Sequence, residues 1–198
     1  MAQPVSCDIA FKEWSVAIQA LDRGEQVLLI RKGGVREEDK HFRLVHEAFL
    51  FYPTYEHQQA DLLKPRFANE LAPPEKRDPM TPVQLTHYAE VHKAFPISEL
   101  AELEALSSYH IWSDAYAASR LRWKPKMALT AIVLRAYRLA QPYQLRIAPE
   151  YIGCRSWVSL HESVTLGEMA PVLSDRDFAL RALAINEAME STSVAASS

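Results

Sequence analysis

Residues Leu28–His57 read LLIRKGGVREEDKHFRLVHEAFLFYPTYEH. Their opening, continuous with Gln26 to Ile30 (QVLLI), is too brief and too β-branched for a helix and reads as a short buried strand. The chain has five glycines, so Gly33-Gly34 directly after Arg31-Lys32 reads as a placed turn. Adjacent glycines let a backbone take positive φ and approach another group closely. Phe42 to Tyr52 reads as a second strand closed by Pro53, although HEAFLF equally fits the start of a helix. Tyr55-Glu56-His57 then caps it with a hydroxyl, a carboxylate and an imidazole.

Working outward, Phe11, Trp14, Val16, Ala17, Ile18 and Leu21 fall close to helical spacing. Asp8 stands as the N-cap of that helix and Gly24 as its stop. A helical turn or two is expected between Glu56 and Leu63. Residues 64–82 hold five prolines and many charges, a loop or arm. Val83 to Phe95 alternates as a long strand, and Ser98 caps a short acidic helix. Tyr109 to Arg122 reads as a further helix. Met127 to Leu139 is an apolar strand with helix as the alternative, Arg155 to Leu160 a strand, and Ser174 starts a final amphipathic helix. Strands at 26–31, 42–52, 83–95, 127–139 and 155–160 divided by helices predict an α+β fold. The expected form is a mixed, mostly antiparallel small barrel or curled sheet with flanking helices. Residues 1–190 form a single globular domain in this reading, and 191–198 (STSVAASS) a disordered tail.

Of 198 residues, 48% are hydrophobic and 24% charged, values of a soluble globular protein that can bury a core. No apolar run reaches the ~18 residues of a membrane helix. No basic region followed by an apolar core opens the chain, so no secretory signal is expected. Cys7 and Cys154 form no CxxC pair, and they read as free thiols in a reducing cytoplasm. The seven histidines have no HxxxH or HExxH spacing, so neither a metal nor another cofactor is expected.

The net charge of −3 hides a division. Residues 115–160 carry eight cations and one acid, +7, leaving −10 for the rest. The same segment holds Tyr116, Trp123, Tyr137, Tyr143, Tyr151 and Trp157. Cations for phosphate and flat rings for bases are what a nucleic-acid surface needs. The competing reading is a pair of strands with solvated arginines. Trp112, Tyr116, Arg120 and Trp123 would share one face of a helix. Trp112 and Tyr116 then fit a core stripe, while Arg120 and Trp123, beside Lys124-Pro125-Lys126, fit a cationic rim. Arg31-Lys32-Gly33-Gly34 adds a phosphate contact, or is only a tight turn. It lacks the GxxxxGK[ST] pattern of a phosphate-binding loop.

Several motifs in order, FKEW (11–14), RKGG (31–34), FYPTYEHQ (51–58), RLRWKP (120–125), LRAYRL (134–139) and GCRSWVSL (153–160), resemble a bacterial and archaeal family known as domain of unknown function 1802. The resemblance spans about Phe11 to Phe178, and Phe51-Tyr52-Pro53 departs conservatively from the family's more usual Leu-Phe-Pro. It implies no activity. Some family members resemble proteins that accompany a modification-dependent nuclease, which implies a restriction or nucleic-acid-processing context and a nuclease partner. The layout of helix, QVLLIRK strand and LTAIVLRAYRL strand is also similar to the PUA, EVE and ASCH-like barrels, a group that includes readers of RNA and modified nucleotides.

The leading expectation is a cytoplasmic nucleic-acid-binding module that reads a modified or flipped base. Its contacts would be Arg31, Lys32, Gly33, Gly34, Tyr116, Arg120, Trp123, Lys124 and Lys126. One alternative is an enzyme on nucleotides or nucleic acid using Tyr55, Glu56 and His57. Three neighbours in sequence cannot all face one point on a strand. A second alternative is an interaction subunit without a ligand.

Overall fold

The computed structural model describes residues 5–32, 46–55, 58–71, 80–123, 129–153 and 156–195. Strand alternation, not helical spacing, governs the start of the chain. Ser6–Trp14 is a strand, β1, and only Ser15–Asp22 is helical, α1. The helix expected from Phe11 is corrected accordingly, and Asp8 lies within β1 rather than at a cap. Ala10, Phe11 and Trp14 share one face of a helix, which drew the helical reading, whereas in the strand Phe11 faces one side and Ala10 and Trp14 the other. The stop at Gly24 is present. Gly24 takes φ +65°, its N–H bonds Leu21 O at 2.9 Å, and Glu25 N–H bonds Ala20 O at 2.9 Å, closing the last turn of α1. A Cβ there would also meet Leu173 at 2.5 Å.

Among the described residues six further strands follow: β2 (Leu28–Lys32), β3 (Ala48–Thr54), β4 (Val83–Ile97), β5 (Leu129–Leu145), β6 (Trp157–Thr165) and β7 (Met169–Pro171). They form one sheet in the order β2-β5-β4-β3-β1-β6, with β7 added to β5. Among the described residues only the β1–β3 pair is parallel. The three-residue β7 is too short to carry a sequence signal. The sheet is mixed and mostly antiparallel, and it curls without closing into a barrel. β2 ends one side of the strand order and β1 lies near the other, yet Leu29 and Phe11 enter the same core. That core gathers Phe49, Phe51, Ile132 and Leu134 with Ile18 and Leu21 of α1. Each such buried side chain contributes roughly 1.5–3 kcal/mol.

Helices pack against the sheet beside this core. The proline-rich segment contains a short helix, α2 (Pro65–Ala68), and its residues 72–79 lie outside the described ones. Before α2, Ala60–Leu62 makes a single 3-10 turn. The acidic helix is α3 (Leu100–Ala105), which begins one residue later than expected; the Glu102 carboxylate accepts the N–H groups of Ser98 at 2.9 Å and Glu99 at 3.0 Å. The helix expected from Tyr109 starts only at α4 (Asp114–Arg122), because the Ser113 hydroxyl caps it by accepting Tyr116 N–H at 3.3 Å. The final helix, α5 (Asp175–Ala195), starts at Ser174 as expected: Ser174 Oγ accepts Asp177 N–H at 3.1 Å. It runs beyond residue 190, where the sequence reading ended the domain, and Ser191 Oγ bonds Glu187 O at 2.7 Å within it. Phe178, Ala182, Ile185 and Met189 of α5 pack on Leu28, Ala131 and Val133.

Candidate functional site

Curling brings the last residues of β1 against β2, and the seam between them is bridged by side chains. Alternation along β1 puts Glu13 on the inward side with Phe11, and both are buried. The Glu13 side chain is 2% exposed; its Oε2 lies 2.9 Å from Arg31, and its Oε1 accepts Trp14 N–H at 2.8 Å. Arg31 also donates to Lys12 O at 2.5 Å and lies over the Phe11 ring, 4.5 Å from its centroid. Its Nε is buried without a hydrogen-bond partner among the described residues. Burial pushes the Glu13 carboxyl above its ordinary value, opposed by Arg31 and by the Trp14 N–H. Removing either charge would strand the other.

Over this pair opens a cleft of about 50 Å³ lined by Glu13, Trp14, Ile30, Arg31, Trp112, Tyr116, Ala117 and Arg120. Trp14, Trp112 and Tyr116 form an aromatic ladder, with centroids 5.0 Å and 5.1 Å apart. Three separate anchors hold it. Trp14 pairs in register with Thr54 of β3. Trp112 makes a bridge to Leu63. Tyr116 and Arg120, four residues apart on α4, project from one face of it. Gln26, 2% exposed, links the Trp112 strap to α1: its amide accepts Ile111 N–H at 3.2 Å and donates to Ala17 O at 3.3 Å. Arg120 lies 4.6 Å from the Trp123 ring, and Trp123 is 45% exposed. Arg120 meets no carboxylate among the described residues.

Of the residues singled out in the sequence, Arg31, Tyr116 and Arg120 line one cleft, with Trp123 beside Arg120. Lys32 ends β2, its backbone in register with Leu129. Tyr55 follows β3 and is exposed. Gly33, Gly34, Glu56, His57, Lys124 and Lys126 lie outside the described residues. Arg31 is committed inward to β1, so the charge it offers a phosphate is partly spent on Glu13. Trp112 precedes α4 rather than sharing its face. Sequence reasoning missed Glu13 and Trp14 as site residues. The signal was a carboxylate two residues after a core phenylalanine on a strand, hidden by the helix reading.

Within β5, β6 and the turn before β6, several cations and rings of the basic–aromatic segment are engaged by the fold, while Arg146 stays exposed and meets no carboxylate among the described residues. Arg135 pairs with Asp175 at 2.5 Å, and Arg138 bonds both the carboxylate and the carbonyl of Asp22. Asp22 also pairs with His87 at 2.8 Å. Tyr137 donates to Glu90 at 3.0 Å. The Tyr151 hydroxyl accepts His161 N–H at 2.7 Å. Trp157 packs on Phe11 and Phe49. Among the described residues, no group of three or more His, Cys, Asp or Glu stands together as metal ligands, and no helix is long and apolar enough to cross a membrane.

A family profile described as Domain of unknown function (DUF1802) matches residues 10–184. The chain belongs to the DUF1802 family. No curated protein matches this DUF1802 chain. Among solved structures, ASCH from Zymomonas mobilis is similar at 11% identity, over 78% of this chain and 87% of that one, with a TM-score of 0.45. Two point mutants of the same protein match at 12% and 10% identity, covering 81% and 78% of this chain and 92% and 90% of theirs, with TM-scores of 0.43 and 0.44. Likeness at this level carries no argument about activity.

Proposed function

We propose that this DUF1802 protein binds single-stranded or flipped-out nucleic acid, with one base entering the cleft beneath α4 and Arg120 holding the adjacent phosphate. The observation that carries the reading is the meeting of Trp14, Trp112 and Tyr116 with two arginines around one opening. Aromatic faces accept any base, at roughly 1–3 kcal/mol per stacked ring. Arg120, which meets no carboxylate among the described residues, supplies the backbone contact. Trp123, exposed beside Arg120, extends the stacking surface past the mouth.

The test is binding of short single-stranded DNA and RNA, followed by fluorescence anisotropy over a salt series. With three to five phosphates neutralised, log K should fall against log[salt] with a slope of about −2 to −4. Trp123→Ala should weaken binding with little change in slope, since stacking releases no ions. An absence of binding to DNA or RNA at low salt, modified or not, would end this reading in favour of an interaction surface for another protein.

A further inference from the structure

The last helix carries apolar side chains on the side it does not bury. At about 100° per residue, Phe178, Ala182, Ile185 and Met189 share the face of α5 that packs on the sheet. Leu180 and Leu183 lie on the opposite face and are 55% and 53% exposed. Arg176 and Glu187 continue their line. Arg176, Leu180, Leu183 and Glu187 thus stand at spacings of four, three and four, the seam spacing of a coiled coil. Both charged residues are exposed, and neither meets an opposite charge among the described residues.

We propose that this face of α5 docks a second copy of the chain, the two helices lying antiparallel about a two-fold axis between Leu180 and Leu183. Such an axis sets Leu180 of each copy against Leu183 of the other, and Arg176 of each against Glu187 of the other. Two apolar layers are then closed at both ends by ion pairs. A parallel pairing would instead oppose arginine to arginine and glutamate to glutamate, so the charges select the antiparallel one. Complementarity of a patch with itself is what an interface between identical copies requires, and it points to a second copy rather than a different protein. Ala179 and Ala184 flank the leucines, and their small side chains let two helices approach closely. Arg176 to Glu187 spans roughly 16 Å of helix, less than a standard interface needs, so the dimer is weak and reversible. A dissociation constant on the order of 10 µM to 1 mM is expected. No residue lining the α4 cleft belongs to α5, so this surface is independent of the nucleic-acid reading.

The test is sedimentation equilibrium of the full chain from about 5 µM to about 1 mM, where a reversible monomer–dimer equilibrium is expected. Arg176→Glu and Glu187→Arg should each weaken it about 5- to 30-fold, because each opposes like charges at both ends of the pair. Mixed in equal amounts, the two variants should regain the unaltered affinity as a heterodimer, since every facing pair then again has opposite charges. Leu183→Glu should leave the chain monomeric throughout that range. All three positions are exposed, and circular dichroism checks that each variant keeps its helix. A chain that stays monomeric at about 1 mM would overturn the proposal and leave the α5 face to solvent or to another protein. Association that survives Leu183→Glu, or charge variants that do not recover on mixing, would equally overturn it by placing the contact elsewhere.

Discussion

Residues 115–160 carry cations and aromatics throughout, yet the two ends of that segment have different fates. At the α4 end, Tyr116 and Arg120 face a cleft, Trp123 is exposed beside them, and Arg120 has no carboxylate partner among the described residues. Along β5 and β6 the same residue types are consumed by the fold. Arg135 and Arg138 are neutralised by Asp175 and Asp22, Tyr137 and Tyr151 are hydrogen-bonded, and Trp157 is partly buried against the core. Composition proposes a surface, but pairing decides which part of it has charge to offer.

The largest expected contrast is in stability. Trp157→Ala should cost about 3 kcal/mol, because it empties a contact with Phe11 and Phe49. Trp123→Ala should cost under about 0.5 kcal/mol as a surface change. Denaturant melts of the two variants measure the difference, and equal losses would erase the distinction between the two ends.

A second effect belongs to the strap that positions Trp112. His110 is 3% exposed, and neither ring nitrogen has a hydrogen-bond partner among the described residues. Burial, with Lys64 adding to it, pushes its pKa down to about 4. The unfolded chain takes up this proton near 6.5, whereas the folded one resists until about 4. Stability should therefore fall as pH drops through that window, by at most roughly 3 kcal/mol. His110→Leu should flatten the curve there. An unchanged curve in that variant would show that the imidazole is hydrated or paired.

A smaller acid effect comes from the β5 end. Burial raises the Asp22 carboxyl, but hydrogen bonds from His87 and Arg138 outweigh it and hold its pKa below the ordinary value. The contribution is present above the ordinary carboxylate range and lost as pH falls below it. Asp22→Asn should therefore shallow the acid limb of the stability curve. If pH 3–5 melts of wild type and variant run parallel, Arg138 is not held as described and rejoins the cationic surface.

How much of this was legible in the sequence follows from which signals are local. The long strands β4 and β5, the Gly24 stop and the Ser174 cap depend on near neighbours, and each was read from them. Helical spacing placed Tyr116 and Arg120 on one face, and both lie on α4, while Trp123 stands at its C-terminal cap in extended backbone. β1 was misread because Phe11 and Trp14, three residues apart, share a face only in a helix, whereas the strand turns them to opposite sides. Glu13 was lost with it, since its importance arises only when curling brings Arg31 of β2 against it. The pairing of Arg135 with Asp175 and Arg138 with Asp22 joins residues far apart in sequence. No local pattern separates such arginines from free ones.

The most direct measurement is therefore the salt slope of single-stranded oligonucleotide binding for Arg120→Ala set beside Arg138→Ala. Losing one phosphate contact should flatten the slope by about 0.7 for Arg120→Ala, while Arg138→Ala leaves it unchanged. Equal flattening by both, or flattening by Arg138→Ala alone, would contradict a site confined to the α4 cleft.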